Sequence, residues 1–217
     1  MENKVITISH QKGGVGKSTV ALNLAIELSK EYNVAVIDLD HQRSMTIFQG
    51  IRESKNLPEL KVMIAEDDQT LMNLMNNYEG LLIIDSGGFD SDLNRLAMLG
   101  SDMIITPVSN SLIELYGLEK FKLIISELKE INPEIKAHVL LNNINPSATT
   151  LVDDLKGFLL SDDDEKFNVI NGIMRQRVDY RKSFELGKSV VEMDSGSKAA
   201  SEVKAIIKHL KVLLELK

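Results

Sequence analysis

The stretch Ser9–Thr19, "SHQKGGVGKST", carries residue types suited to holding phosphate. Gly16, Lys17 and Ser18 stand where the phosphate-loop pattern G-x-x-x-x-G-K-[ST] requires them. Gln11 takes the place of the first glycine, and a second lysine, Lys12, sits among the free positions. Gly13, Gly14 and Gly16 allow the loop from Lys12 to Thr19, with Val15 inside it, to turn backbone N–H groups toward phosphate oxygens. A helix beginning there adds positive potential. Lys17 suits the terminal phosphates, and the Ser18 hydroxyl suits a Mg²⁺ shell.

Two further segments supply carboxylates. In "LLIIDSGG", Asp85 ends an apolar run, where a carboxylate can hold magnesium through water, and Gly87 and Gly88 can follow a γ-phosphate. In "VIDLDHQRS", Asp38 and Asp40 are one residue apart, so on an extended backbone they point the same way. Such a pair suits metal coordination and water activation, and Asp40, further beyond the strand, is the better one to position an attacking water. The expected metal set is Ser18, Asp38 and Asp85, and Lys17 and Asp40 are the expected catalytic residues that the pattern itself supplies.

These residues need a frame. Lys4–Ser9, Val34–Asp40, Leu81–Ser86, Asp102–Val108 and Ala137–Ile144 read as strands buried on both faces, and Phe167–Ile170 as a weaker one. Helical spacing covers Ser18–Lys30, Asp68–Asn77, Asp92–Leu99, Leu115–Ile131, Thr149–Leu160 and Ser197–Leu216. Strands alternating with helices imply right-handed crossovers. The expected fold is a single α/β domain over residues 1–217, a doubly wound, mostly parallel sheet flanked by helices. Ligands of such sheets bind beyond the carboxyl ends of the strands, where the polar residues above lie.

Composition narrows the function classes. The 217 residues include no cysteine, which excludes disulfides, thiolate metal sites, cysteine nucleophiles and cysteine-held iron–sulfur clusters. No apolar run approaches the roughly 20 residues that span a bilayer, and the start of the chain has no signal-peptide pattern, so a cytoplasmic protein is expected. A net charge of −7 argues against coating nucleic acid with the whole surface, but charge is uneven. Asp162–Glu165 is an acidic run, read as a solvated loop. From Arg175 to Lys188, the basic residues Arg175, Arg177, Arg181, Lys182 and Lys188 oppose only Asp179 and Glu185, and Lys198–Lys217 is basic as well.

"QKGGVGKST", "VIDLDHQRS" and "LLIIDSGG", in this order and spacing, closely resemble the deviant Walker A ATPases of the ParA/MinD superfamily. That resemblance implies ATP hydrolysis with Mg²⁺ in an ATP-dependent homodimer, with Lys12 contacting the opposing subunit's nucleotide. "ITPVSNSLIEL" resembles the family's dimer-interface segment, and "GIMRQRVDYRKSFELGKSVVEMDSGSKAASEVKAII" resembles the C-terminal portion of small, ParF-like ParA proteins. Relatives read D-x-D-P-Q where this chain has His41 in place of proline, which leaves both aspartates standing. By the same resemblance, Asn142 or Asn143 reads the adenine edge, and Met174 after Ile173, where relatives often carry proline, leaves backbone contacts there.

Within the superfamily, the lack of cysteine removes the iron–sulfur branches. The sequence leaves no expectation of an N-terminal helix-turn-helix, since the first strand begins by Lys4. What the resemblance then implies is a nucleoid-associated partition ATPase that binds DNA non-specifically, with Arg175, Arg177, Arg181, Lys182, Lys198 and Lys204 as candidate contacts and a ParB-like protein stimulating hydrolysis. Cargo can be a plasmid, a chromosome region or a protein assembly. A MinD-like membrane-positioning protein is the alternative, because Val203, Ile206, Ile207, Leu210, Leu213 and Leu214 form an amphipathic stripe; the same stripe suits packing on the sheet. A metabolic enzyme of the dethiobiotin-synthetase kind needs a dedicated substrate constellation, and none stands out.

Overall fold

The computed structural model describes residues 3–109, 112–148 and 167–216. In chain order these form β1 (Lys4–Ile8), α1 (Lys17–Leu28), β2 (Val34–Asp38), α2 (Ser44–Ser54), β3 (Lys61–Ile64), α3 (Asp68–Asn77), β4 (Leu81–Asp85), α4 (Asp92–Leu99), β5 (Met103–Val108), α5 (Leu112–Ile131), β6 (Ala137–Ile144), β7 (Asn168–Arg175), α6 (Val178–Leu186), the short α7 (Val190–Met193) and α8 (Lys198–Leu213). The strands make one sheet in the order β3-β2-β4-β1-β5-β6-β7, and every pairing is parallel. The expected helix Thr149–Leu160 and the acidic run Asp162–Glu165 lie outside the described residues, as do Asn110 and Ser111 of the expected interface segment.

The strands read as continuous apolar runs because each face of the sheet has its own cover. Ile6, Ile8, Val36, Ile83, Ile105, Leu140 and Ile170 point to one face, under α1, α2 and α8. Alternate residues point to the other face, where Val5, Ile37 and Ile84 pack with Leu71 of α3, and Ile104, Val139 and Leu141 pack with Phe121 and Ile125 of α5. Thr7, on that second face, is satisfied by Ser101 Oγ at 2.6 Å. Ser197 caps α8 through the Ala200 N–H, one residue from the expected start. Val203, Ile206, Leu210 and Leu214 of the amphipathic stripe are buried in the core, with Ile207 and Leu213 packed partly against it. No described helix is long and apolar enough to cross a membrane.

Three local expectations need correction. β2 ends at Asp38 rather than Asp40, so the two aspartates do not share a strand face. β7 runs on to Arg175, five residues beyond the expected end at Ile170, because its pairing with β6 continues past two irregularities. The segment after Asp40 holds α2 and β3, neither of which periodicity indicates. α2 buries Gln49 and Arg52 beside Met45 and Phe48, and β3 is a partly exposed edge strand of four residues. Arg52 is held by Glu192 at 2.8 Å and by the Pro58 and Gly187 carbonyls, which makes a cation acceptable inside.

The topology sets the site. β1 and β4 are neighbours, yet the chain leaves β1 toward β2 over the α1 face and leaves β4 toward β5 over the α4 face. A crevice opens where the two connections part. At the opposite ends of the strands, burial pushes the His138 imidazole down to about 4, aided by the His209 and Lys136 charges and opposed by a hydrogen bond to the Lys136 carbonyl. A histidine whose native pKa lies below its unfolded value near 6.5 contributes stability above that value and loses it as pH falls toward 4. Urea unfolding of wild type and His138→Gln at pH 7 and pH 4 is expected to show wild type losing about 3 kcal/mol more than the variant, at 1.36 kcal/mol per pKa unit.

Candidate functional site: a phosphate loop between two buried carboxylates

Register brings the polar ends together. Ile8 of β1 and Asp38 of β2 both pair with Asp85 of β4, so two aspartates end level on neighbouring strands. Both are fully buried. Asp38 Oδ2 accepts from the Thr46 backbone N–H and the Thr46 hydroxyl, each at 2.9 Å, and so caps the first turn of α2. Among the described residues, Asp38 Oδ1 and both oxygens of Asp85 have no partner in good hydrogen-bond geometry, the Ser18 hydroxyl giving Asp85 only a weak interaction. Burial pushes the Asp85 carboxyl up to about 7; Ser18 and Lys17 oppose that rise, and the Asp38 and Asp40 charges add to it.

The loop between β1 and α1 wraps this pair. Gly14 and Gly16 take positive φ angles of 79° and 93°, which explains two of the three glycines. Gln11 is not in that region, so this loop needs no glycine at its first position. The close approach constrains Gly88 instead: a Cβ there would lie 2.8 Å from the Gly13 nitrogen, so the two loops touch backbone to backbone, whereas a Cβ on Gly13 would meet nothing within 4 Å. α1 starts at Lys17 without a side-chain cap, leaving its first N–H groups to the cleft. Lys17 is buried, donates to the Lys12 carbonyl at 3.2 Å, and has its pKa lowered by burial against the pull of Asp85 and Asp40.

A cavity of about 510 Å³ lies here, lined by Gly13–Gly14, Gly16–Thr19, Asp40, Gln42 and Gly88 among others. Asp40 lies beyond the strand end, with Oδ1 accepting from the Gln42 N–H at 2.9 Å. Beyond the loop, a second cavity of about 520 Å³ shares Gly14, Gly16 and Thr19 and runs to Asn142, Asn143, Gln176 and Tyr180. The two cavities meet at the phosphate loop, an arrangement with room for phosphates on one side and a base on the other. Lys12 lines neither.

Among the described residues, no three His, Cys, Asp or Glu side chains form a metal-binding group. The orphaned oxygens of Asp85 and Asp38 beside Ser18 nevertheless fit a hard cation that keeps part of its water and takes phosphate oxygens as ligands, which is how Mg²⁺ binds. Ser18, Asp38 and Asp85 are the residues that would hold it. Bound there, the cation would neutralise phosphate charge. The chain's own part is to present Lys17 and the α1 N-terminus to the phosphates and to hold Asp40 at the open side of the cleft.

The model of the CobQ/CobB/MinD/ParA nucleotide binding domain matches residues 6–191. The chain belongs to this family. It is 24% identical over 215 residues to "Maintenance of carboxysome distribution protein A" of Halothiobacillus neapolitanus, covering 96% of this chain and 97% of that protein. It is likewise 24% identical over 205 residues to "Protein ParA" of Rhizobium radiobacter, covering 91% and 90%. Among solved structures, a McdA variant from Cyanothece in complex with ATP superposes with a TM-score of 0.75 at 16% identity, over 99% of this chain and 97% of that one.

For a CobQ/CobB/MinD/ParA domain, the base-side cavity is where sequence reasoning is least complete. Asn142 donates its amide to the Val15 carbonyl at 2.7 Å, so one of its groups is spent holding the phosphate loop. Asn143 is exposed, takes a left-handed φ of 56° and stands at the cavity wall. Gln176, Tyr180 and Phe184 line the same wall, and no local pattern marks them, because the ends of β6 and β7 and the face of α6 meet only in the fold. Of the basic candidates, Arg177 is paired with Glu202 at 2.7 Å, Arg175 donates to the Asn145 and Pro146 carbonyls, and Lys204 donates to the Ser195 carbonyl. Arg175, Arg177 and Arg181 line the base-side cavity. Lys182 and Lys198 lie on α6 and at the start of α8.

Asn142→Ala separates its two roles. Loss of the Val15 clamp strands a carbonyl and loosens the loop, so affinity for ATP and GTP is expected to fall together, by about fivefold to tenfold for a hydrogen bond worth ~1 kcal/mol or slightly more. A fall confined to ATP, measured with fluorescent analogues of both nucleotides, would instead assign the side chain to base reading.

Proposed function

We propose that this chain is a ParA-type partition or positioning ATPase, in which Mg-ATP closes a homodimer and hydrolysis opens it. The observation that carries this reading is a phosphate loop with two lysines placed differently. Lys17 is buried against Asp85 and the loop, whereas Lys12 stands outside both cavities of its own subunit. The position of Lys12 outside both cavities supports the role the family resemblance gives it, contact with the nucleotide of the facing subunit. Asp40 then positions the attacking water at the open side of the cleft, and Lys17 balances charge as it develops on the phosphates.

The relatives named for carboxysome distribution and as ParA support a positioning role, with a plasmid, a chromosome region or a protein assembly as cargo. In this reading the ATP dimer binds nucleoid DNA through phosphate contacts, and a ParB-like or adaptor protein stimulates hydrolysis. Arg181, Lys182 and Lys198 are the principal candidate contacts, because Arg175, Arg177 and Lys204 are engaged within the subunit. Dimerisation doubles any such patch, which offsets the acidic net charge.

Light scattering with and without Mg-ATP tests the core of the proposal. Wild type is expected to dimerise only with ATP, and Lys12→Ala to remain monomeric; a dimer indifferent to that change removes the role of Lys12. Asp40→Ala is expected to keep the dimer and lose about 100-fold in turnover, the lower end for a general base. Co-sedimentation with DNA is expected to require ATP and to weaken steeply with salt. Binding to anionic liposomes without DNA binding would replace the partition reading with a MinD-like one.

A further inference from the structure

The residue after Asp40 and the residue after Gly88 meet across the phosphate cleft. His41 and Phe89 stack with ring centroids 5.5 Å apart and planes 1° from parallel, and both rings line the cavity that contains Lys17 and Ser18. Each loop is anchored from behind. On one side, Gln42 N–H and Arg43 N–H bond the Asp40 carboxylate and carbonyl at 2.9 Å, and the Arg43 guanidinium donates to the Asp38 carbonyl at 2.8 Å. On the other, the buried Asn94 amide donates to the Phe89 carbonyl at 2.8 Å, and Gly88 abuts Gly13. The stack joins the two loops at their solvent-facing ends, where Phe89 is 47% exposed. The two rings lie parallel at a separation within the range of attractive aromatic pairs, and their contact spans the mouth of the cleft.

We propose that His41 and Phe89 form a clasp through which the Asp40 loop and the Gly87–Gly88 loop respond to the terminal phosphate as one unit, with His41 acting as a positioning residue for Asp40. The proposal rests on the ATPase reading for its chemistry. His41 lies between Asp40 and the Gln42 N–H that fixes Asp40 Oδ1, so the attitude of its ring sets the direction of the second carboxylate oxygen. Phe89 follows the glycine whose backbone touches the phosphate loop, so a phosphate that shifts Gly88 shifts the ring. A coplanar pair transmits that shift without a formal bond between the loops.

The test uses four variants of the full chain. His41→Ala and Phe89→Ala are each expected to lower turnover at saturating Mg-ATP by roughly twofold to tenfold, the scale of one aromatic pair, with the KM for ATP and the affinity for ADP changed less than twofold. The double variant is expected to be no slower than the slower single variant, and His41→Tyr, which keeps a planar ring, to stay within twofold of wild type. Losses that multiply in the double variant, or a His41→Tyr as slow as His41→Ala, overturn the clasp. Wild type without ATPase activity would sink the ATPase reading and leave the clasp to be judged by NMR. With four histidines in the chain, the His41 ring protons are assignable by their disappearance in His41→Gln. They are expected to move when Mg-ATPγS replaces Mg-ADP and to move far less in Phe89→Leu; an equal response in both proteins overturns the proposal.

Discussion

Burying Asp38 and Asp85 side by side, each without solvent contact, sets the terms for everything around the cleft. An isolated carboxylate taken out of water costs several kcal/mol, and two on adjacent strands raise each other's cost. The chain compensates them unequally. Asp38 receives two hydrogen bonds from the first turn of α2, which settles one of its oxygens. Among the described residues Asp85 receives none of comparable geometry, and burial pushes it up to about 7, with the Ser18 hydroxyl and Lys17 opposing the rise. An aspartate poised near neutrality gains most from a cation, because the cation favours its ionised form at little further cost. The orphaned oxygens beside Lys17 thus fit a cation, which would favour the ionised form of Asp85.

The way Asp38 is compensated ties the cleft to the rest of the molecule. α2 begins at the Asp38 carboxylate and ends at Arg52, which grips Glu192 and the Gly187 carbonyl from within the core. Midway, Phe48 packs against Phe184 with ring centroids 5.5 Å apart. Phe184 belongs to α6 and lines the base-side cavity. One helix thus runs from the phosphate side of the site to the support of its base side. A displacement at the α2 N-terminus has a short, packed route to α6, because close-packed interiors transmit strain rather than absorb it.

How far all this could be read from the sequence follows from where each signal is stored. β1, β4 and the phosphate loop were legible because their determinants are local: an apolar run covered on both faces, then glycines in which positive φ is needed, then the helix-opening lysine and serine. Asp85 was legible as the polar end of such a run. α2 was not, since Gln49 and Arg52 interrupt its apolar stripe, and what makes them acceptable inside lies at Leu60, Gly187 and Glu192. The division of labour between Asn142 and Asn143 was equally hidden. It depends on a bulge in the β6–β7 pairing that turns Asn143 outward and on a loop 127 residues away that takes the Asn142 amide.

The C-terminal quarter shows why counting charges along a chain misjudges a surface. Arg175 and Arg177 look like free cations in a basic stretch, yet Glu202 of α8 accepts from the Arg175 N–H, the Arg177 guanidinium and the Tyr180 hydroxyl together. Burial and that carboxylate push the Tyr180 hydroxyl well above its ordinary range, which keeps it a neutral donor at the wall of the base-side cavity. Arg177 and the acid that opposes it are thus structural: with the Arg175 backbone N–H and the Tyr180 hydroxyl they fasten α6 and α8 to the end of β7 and shape the cavity where a base fits. A guanidinium paired in this way is not the loose, hydrated cation that releases counterions on meeting a polyanion. Charge exposed outside that pair remains on Arg181 and Lys182 of α6 and on Lys198 of α8.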